Sequence, residues 1–271
     1  MTRLVQISDT HFGTERPQVM AALERWVREQ APDALLLSGD ITQRATRRQF
    51  AAARAFVERL GVARVLAIPG NHDIPLVNLA ARCLRPYGRY RHAFGEQLQP
   101  MLDLPGCLAL GLNTTRWYRH KDGEVSPEQI EQVAARLARA GADQLRVVVV
   151  HQPVAVTRPE EAPNLLRNHA AAIARWAEAG ADLVLGGHIH LPFVLPLPTA
   201  RPLWAVQAGT AVSSRVRDGV PNSVNLIHRP GNDGAARQCI VERWDHAAGS
   251  DRFERIDVRV LPLGAVASHA D

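Results

Sequence analysis

Short apolar runs alternate with amphipathic segments over the first two thirds of this 271-residue chain. The runs lack polar alternation, a pattern typical of strands that are covered on both faces of a sheet. They occupy residues 4–7, 34–37, 65–68, 108–112, 146–150 and 181–185. Helices are predicted at residues 17–30, 46–60 and 168–179, and after Ser126, where Pro127 and Gln129 complete a helix start. This order of elements predicts an α/β fold.

From about Phe193 the pattern changes, because turn residues instead of amphipathic segments separate the apolar runs. Runs at residues 203–207, 224–228, 238–243 and 253–261 predict an antiparallel meander. No Pro- or Ser-rich linker precedes the meander, so we expect a second sheet packed on the first within a single domain of residues 1–271. Residues 75–105 are predicted to form a cap segment that is helical in pieces, and residues 265–271 a frayed tail.

Side chains that bind metals or transfer protons follow five of the predicted strands. They are Asp9 and His11 in SDTHFG, Asp40 in SGD, Asn71, His72 and Asp73 in PGNHD, His151, and His188 and His190 in GGHIH. Each fragment alone is more typical of a turn or of a structural histidine. The carboxyl ends of neighbouring strands in an α/β sheet open onto one crevice, so five such fragments in order predict a common site.

Seven of these residues offer carboxylate or amide oxygen and imidazole nitrogen, and none offers a thiolate: Asp9, His11, Asp40, Asn71, His151, His188 and His190. This ligand chemistry favours Mn or Fe, with Zn or Co as alternatives. Seven ligands are too many for one ion but suit two, provided that one carboxylate bridges them. Two ions about 3.5–4 Å apart stabilise the attacking and leaving oxygens of a phosphoryl displacement. The pattern therefore predicts a dinuclear metal site.

Between roughly residues 5 and 191 the sequence resembles the calcineurin-like metallophosphoesterases, whose blocks D-x-H, G-D, G-N-H-D/E, H and G-H-x-H are all present. The resemblance implies a four-layer αββα sandwich of two mixed β-sheets, with the dinuclear site at the strand ends. It assigns Asp9, His11 and His190 to the first ion, and Asn71, His151 and His188 to the second. Asp40 would bridge the ions, His72 would be the catalytic histidine, and Asp73 would orient the His72 imidazole.

Within this family the ISDTH and GNHD forms are most similar to the bacterial class III cyclic-nucleotide phosphodiesterases. That similarity implies a phosphodiesterase that hydrolyses a small phosphodiester, with a cyclic nucleotide as one candidate, by metal-hydroxide attack on phosphorus. That branch often carries His-His-Pro-Pro where this chain has His151-Gln152-Pro153-Val154, so the substrate stays open. The alternatives are a broad-specificity phosphomonoesterase and a phospholipid or glycerophosphodiester hydrolase. Less favoured are a nuclease, which would be expected to carry an added docking domain, and a non-catalytic scaffold, which would be expected to have lost ligands that this chain keeps.

Residues 82–92 follow the GNHD block and are rich in Arg and Tyr. A segment of this composition beside the crevice could hold a phosphate and stack a base, which makes Arg85 and Arg89 candidate substrate-binding residues together with Asn71 and His72. The alternative is a solvated helical cap in an arginine-rich protein. His120 and Asp122, in the loop before the Ser126 helix, are weaker candidates for the rim of the site.

The formal charge of +5 does not predict a nucleic-acid partner, because the basic residues are spread along the chain without a run of five. Three cysteines at unrelated spacings predict free thiols in a reducing compartment, which together with a start that lacks a signal core favours the cytoplasm. No apolar stretch is long enough to span a membrane. The sequence leaves the oligomeric state open, with a dimer as one alternative.

Overall fold

In the computed structural model, which describes residues 2–230 and 237–265, two six-stranded sheets carry all the named strands. The strands are β1 Thr2–Ile7, β2 Ala34–Leu37, β3 Val65–Ala67, β4 Met101–Leu104, β5 Cys107–Gly111, β6 Leu145–Val149, β7 Leu183–Gly186, β8 Phe193–Pro196, β9 Trp204–Gln207, β10 Ser223–Arg229, β11 Gln238–Ala247 and β12 Arg252–Pro262. The helices are α1 Pro17–Gln30, α2 Arg47–Arg59, α3 Leu79–Leu84, α4 Gly88–Phe94, α5 Pro127–Leu137 and α6 His169–Glu178, and short 3-10 turns span Asn71–Asp73 and Pro159–Asn164.

Both sheets are mixed. The first has the order β12-β11-β10-β1-β2-β3, in which β1, β2 and β3 are parallel and the other pairs antiparallel. The second has the order β4-β5-β6-β7-β9-β8, in which β5, β6, β7 and β9 are parallel and the edge strands β4 and β8 antiparallel. Five of these parallel strands precede the predicted donor residues, β1, β2 and β3 in the first sheet and β6 and β7 in the second.

The prediction that the C-terminal strands form a sheet of their own is wrong. Strand β10 pairs with the open edge of β1 and carries β11 and β12, so these three strands extend the first sheet. Strand β9 pairs in parallel with β7, and β8 then covers the edge of β9. Strands β10 and β9 thus complete the edges of β1 and β7, and completing those edges satisfies their backbone hydrogen bonds.

Apolar side chains fill three layers between and outside the sheets, which confirms the αββα sandwich. In β2, Leu36 points into the core between the sheets and its neighbour Leu35 points towards α1 and α2. In β6, Val147 points into the same central core, whereas Val148 packs under α5 and α6 with Trp176. Because successive residues of a strand point to opposite faces, strands covered on both sides need the uninterrupted apolar runs seen in the sequence.

The helix starts have the predicted chemistry. The Thr46 and Ser126 side chains each accept the backbone N–H three residues later, and Gln49 and Gln129 complete the two capping boxes. The predicted cap segment, residues 75–105, contains α3 and α4 and also β4, an edge strand that the sequence did not indicate. Apart from Ala265, the predicted frayed tail lies outside the described residues. Within the described chain, no helix is both long and apolar enough to cross a membrane.

A buried carboxylate joins the two sheets at the end opposite the metal-capable residues. Asp182, which is fully buried before β7, accepts hydrogen bonds from Arg201 Nη2 at 2.7 Å and from Arg237 Nη2 at 3.0 Å. Its Oδ2 also accepts the backbone N–H of Arg146 at 3.0 Å. Arg237 lies just before β11 of the first sheet, so this carboxylate links strands of both sheets.

We expect Asp182→Ala to lower the free energy of unfolding by about 3–5 kcal/mol, because it leaves largely buried guanidinium groups without their counter-charge. Urea unfolding followed by circular dichroism measures the change. The matched control is Glu131→Ala, which removes the partner of Arg175 from an exposed ion pair and should leave the unfolding midpoint unchanged. Equal effects of the two substitutions would show that Asp182 does not stabilise the junction of the sheets.

Candidate metal centre

The structure brings the seven predicted donors together in the cleft between the two sheets. Asp9 and His11 follow β1, Asp40 follows β2, Asn71 follows β3, His151 follows β6, and His188 and His190 follow β7. All except Asn71, His188 and His190 are at most 2% exposed. Short loops at the ends of five different strands therefore supply one buried cluster of oxygen and nitrogen donors.

The first group of donors contains Asp9, His11 and His190, whose ligand atoms all lie within 4.8 Å of one another. His190 Nε2 is 3.2 Å from Asp9 Oδ1 and 3.1 Å from His11 Nε2. The His190 Nδ1 atom donates to the carbonyl of Arg215, so Nε2 of this ring is free to offer a lone pair when the ring is neutral. Two imidazole nitrogens and a carboxylate that converge in this way suit a divalent cation.

The second group contains Asp40, His151 and His188, again with ligand atoms within 4.8 Å of one another. His151 Nε2 is 3.3 Å from Asp40 Oδ1 and 3.3 Å from Asn71 Oδ1. His151 Nδ1 donates to the Ser38 carbonyl at 2.8 Å, which directs Nε2 towards the group. The other oxygen of the Asp40 carboxylate, Oδ2, is 3.8 Å from His11 Nε2 of the first group. Asp40 therefore faces both groups, one oxygen to each.

Unpartnered buried nitrogen atoms provide a test of whether this site fits metal ions. Among the described residues, His11 Nδ1 and His188 Nδ1 are buried and have no hydrogen-bond partner. A buried nitrogen without a partner is costly unless a ligand satisfies it, and His188 Nδ1 belongs to a ring in the second donor group. The donor set, with Nε2 of His11 facing the first group and a ring with an unpartnered nitrogen, His188, in the second, therefore fits two ions that share Asp40.

The protonation states of the buried groups also suit cations. Burial disfavours charged imidazoles and lowers the pKa of His11 and of His188 to about 3, so both rings are neutral near pH 7. Burial also disfavours carboxylates, but His190 outweighs it and lowers the pKa of Asp9 to about 2. For His151, burial is outweighed by Asp40, which raises the pKa to about 9, so an ion at this position displaces a proton.

Five of the seven donors have a left-handed backbone, with φ between 41° and 72°: Asp9, His11, Asp40, His188 and His190. Asp and His are among the few side chains that enter this region with any frequency. Glycines make the tight turns possible at two further points. Gly39 has a φ of +97° and lies against the His151 ring, and a Cβ on Gly70 would overlap Asp40.

The structure corrects the role that the resemblance implied for Asp73. The buried Asp73 carboxylate accepts the backbone N–H groups of Gly70, Ile41 and Thr42, at 2.9, 3.0 and 2.8 Å. The His72 ring is instead oriented by the carbonyl of Gln43, which accepts from Nδ1 at 3.0 Å. Asp73 therefore positions the Asp40 and Asn71 loops, because it ties their backbones together, and does not contact the imidazole.

A cavity of about 230 Å³ opens onto the donor cluster and contains His72 at its wall. Five of the residues around it were not predicted: Lys121, Asn164, Ile189, Arg215 and Arg217. The two arginines come soon after β9, which is parallel to β7. Their position after this strand is the sequence signal that could have placed them at the site. Assigning residues 203–207 to a meander hid the fact that this strand also ends at the site. His120 lines the cavity as expected, whereas Asp122 is paired with Arg167 at 3.2 Å.

The candidate substrate-binding residues Arg85 and Arg89 lie elsewhere. They line a second cavity, of about 1260 Å³, between α2, α3 and α4. Arg89 Nη1 donates to the carbonyl of Ala45 at 2.8 Å. The residues that line the metal-site cavity include neither of these arginines: Arg85 ends α3, and Arg89 lies on α4, which packs against α2.

Gln152, where the resemblance shows a different residue, is fully buried behind the cavity. Its Nε2 donates to the carbonyl of Lys121 at 3.2 Å, and its Oε1 accepts from Thr114 Oγ1 at 2.6 Å. The side chain therefore supports the loop that carries His120 and Lys121 and is not among the residues that line the cavity.

Comparison with known sequences agrees with the family resemblance of the motifs. A family model described as calcineurin-like phosphoesterase matches residues 2–192. A Synechococcus protein named "probable cyclic nucleotide phosphodiesterase" is 27% identical over 70% of this chain and 74% of its own length. A Rhodococcus erythropolis protein with the same name is 25% identical over 97% of this chain and 84% of its own length.

Solved structures show the same fold. A dimetal phosphatase from Danio rerio has a TM-score of 0.67 at 12% identity, covering 97% of this chain and 99% of that one. The purple acid phosphatase PPD1 from yellow lupin seeds has a TM-score of 0.72 at 13% identity, covering 96% of this chain and 53% of that one. At such identities the likeness concerns the arrangement of sheets and helices.

We expect Asp40→Ala to lower metal binding at both positions, because one oxygen of this carboxylate faces each donor group. The loss should exceed the roughly 10–100-fold that removal of an outer hydrogen-bond partner costs. His190→Ala, which belongs to one group, should mainly empty one position. Elemental analysis of both purified variants measures the metal content per chain. Asp40→Ala protein that retained two ions and near-normal turnover would show that Asp40 does not bridge.

Proposed function

Because this chain belongs to the calcineurin-like phosphoesterase family, whose members use divalent metal ions, we propose that it is a dinuclear-metal phosphodiesterase. Its substrate would be a small phosphodiester, with a cyclic nucleotide as the first candidate. Mn or Fe would occupy the two positions. The observation that carries the proposal is the pair of donor groups that share Asp40 beside a cavity large enough for a small ester.

The choice of a diester over a monoester draws on the two bacterial relatives, both named as cyclic nucleotide phosphodiesterases. The volume of about 230 Å³ supports a small substrate. A scaffold without activity is not supported, since all five blocks of the family keep their donor residues.

When bound, the two ions would supply Lewis acidity towards the phosphoryl oxygens and a nucleophile derived from water near neutral pH. The chain's own residues would hold and orient the ester. The Gln43 carbonyl fixes the His72 ring through Nδ1, and the other ring nitrogen, Nε2, belongs to a side chain in the cavity wall. As the oxygen of water bonds to phosphorus and the ester P–O bond breaks, protonated His72 would give its Nε2 proton to the leaving oxygen.

A rate panel on purified protein tests the proposal. Activity should be abolished by a chelator, restored best by Mn, and reach its maximum at two ions per chain. The panel compares bis-(p-nitrophenyl) phosphate, p-nitrophenyl phosphate, 3′,5′-cyclic AMP, 2′,3′-cyclic AMP and a glycerophosphodiester. A preference for p-nitrophenyl phosphate would establish a monoesterase, and a preference for the last substrate a glycerophosphodiester hydrolase. Full activity in excess chelator, or saturation at one ion, would refute the dinuclear mechanism.

We expect His72→Ala to lose far more rate on a ribose 3′-oxygen leaving group than on p-nitrophenolate. A poor leaving group needs a proton as it departs, and a general acid contributes roughly 10²–10⁴-fold, whereas p-nitrophenolate can leave unprotonated. Rates of one mutant preparation on 3′,5′-cyclic AMP and on bis-(p-nitrophenyl) phosphate measure the difference, with metal content as the control. An equal loss on both substrates would leave His72 only a charge-stabilising role, and no loss would remove it from the mechanism.

A further inference from the structure

The loop between β9 and β10 supplies a guanidinium group to the cavity, and its backbone is fastened to the metal centre. The carbonyl of Arg215 accepts from His190 Nδ1 at 2.6 Å and from Thr210 Oγ1 at 2.8 Å. The backbone N–H of Ser214 donates to the carbonyl of Thr14 at 2.9 Å. The position of Arg215 is therefore set by the same contacts that orient a donor of the first group.

The side chain of Arg215 is held next to His72 by a single residue. Arg215 Nη1 donates to Gln43 Oε1 at 2.8 Å and lies 3.4 Å from His72 Nε2. The main-chain oxygen of Gln43 accepts from His72 Nδ1 at 3.0 Å. Gln43 thus fixes the imidazole with its backbone and the guanidinium with its side chain, and places the two side by side at the cavity wall.

The charge of Arg215 is not neutralised by a carboxylate. Its neighbour in the cavity, Arg217, pairs with Glu161 through Nη1 at 2.7 Å, and Arg217 Nε donates to the carbonyl of Ile189. Among the described residues, the Arg215 guanidinium has no ion pair with an acidic side chain; its side chain donates to Gln43 and lies beside His72. A guanidinium carries five N–H donors, so most of them are free for an anion.

We propose that the Arg215 guanidinium binds a non-bridging oxygen of the phosphoryl group under attack, and that Gln43 is the residue that positions it there. The proposal rests on the proposed phosphodiesterase function. The group at phosphorus gains negative charge on those oxygens in the transition state, and a fixed guanidinium in a partly enclosed site is suited to stabilise it.

Arg215→Ala should lower kcat by about 10²–10³-fold, the cost of removing one preorganised donor to a developing charge. Metal content should be unchanged, because the main-chain carbonyl that orients His190 remains. Arg217→Ala is the matched comparison in the same cavity, and its loss should be far smaller because Glu161 already neutralises that charge. Added guanidinium ion should restore part of the rate of Arg215→Ala and none of that of Arg217→Ala.

Binding of inorganic phosphate to the metal-loaded protein, measured by calorimetry, gives a readout that does not depend on turnover. Affinity should fall in Arg215→Ala and be largely kept in Arg217→Ala. Gln43→Met removes the side-chain oxygen but keeps the backbone carbonyl, so it should lower kcat in the same direction but less. An unchanged kcat in Gln43→Met would overturn the positioning role.

Arg215→Met removes the guanidinium but keeps much of the aliphatic stem. It therefore separates a loss of phosphate binding from a loss of loop structure. If both Arg215 variants lose metal, the side chain supports the loop and the proposal is wrong. Equal losses for Arg215→Ala and Arg217→Ala would also overturn it. If the wild-type protein hydrolyses no ester in the panel, the proposed function fails, and phosphate affinity then decides on Arg215 alone: equal affinity in wild type and Arg215→Ala refutes the phosphate contact.

Discussion

Five donor residues have a left-handed backbone conformation, and the rest of the structure has to hold them in it. Each such conformation costs roughly 1–2 kcal/mol, so the five together cost a large part of the about 5–15 kcal/mol by which a domain is stable. The strands that carry them are buried on both faces, and Asp73 ties the Asp40 and Asn71 loops to each other through backbone hydrogen bonds. Strain at the strand ends is possible because the layers behind them are rigid.

The sequence was most informative where local chemistry and burial coincide. Apolar runs marked the parallel strands, and the capping boxes at Thr46 and Ser126 marked two helix starts, since both signals depend on neighbouring residues only. The five strand ends were predictable for the same reason. Which sheet each strand joins was not, because the pairing of β10 with β1 and of β9 with β7 connects segments far apart in sequence. No local pattern distinguishes a strand that completes a distant edge from one in a meander.

The same limit explains why the sequence indicated Arg85 and Arg89, and not Arg215, as residues of the metal-site cavity. Arg85 and Arg89 follow the GNHD block in sequence, yet they lie at the end of α3 and on α4 and line another cavity beside α2. Arg215 lies far from every block in sequence and reaches the site because β9 is parallel to β7. Likewise, Asp73 stands next to His72 in the chain, but the 3-10 turn directs its carboxylate towards the backbone of the Asp40 loop. Proximity in sequence predicted which loop carries a residue, not where its side chain points.

Several of the arginines stabilise the fold itself. Many arginines are engaged by carboxylates within the fold, as Arg201 and Arg237 are by Asp182, and Arg116 and Arg119 by Glu124. In such pairs the guanidinium packs within the fold and neutralises the charge of a carboxylate. A cation at the cavity that is held by a neutral amide is not neutralised by its neighbour. Gln43 provides that arrangement for Arg215. A glutamate at the same position would accept the same hydrogen bond but would neutralise the guanidinium and place a negative charge beside the imidazole. The amide therefore positions the guanidinium beside the imidazole without reducing the attraction of the guanidinium for an anion.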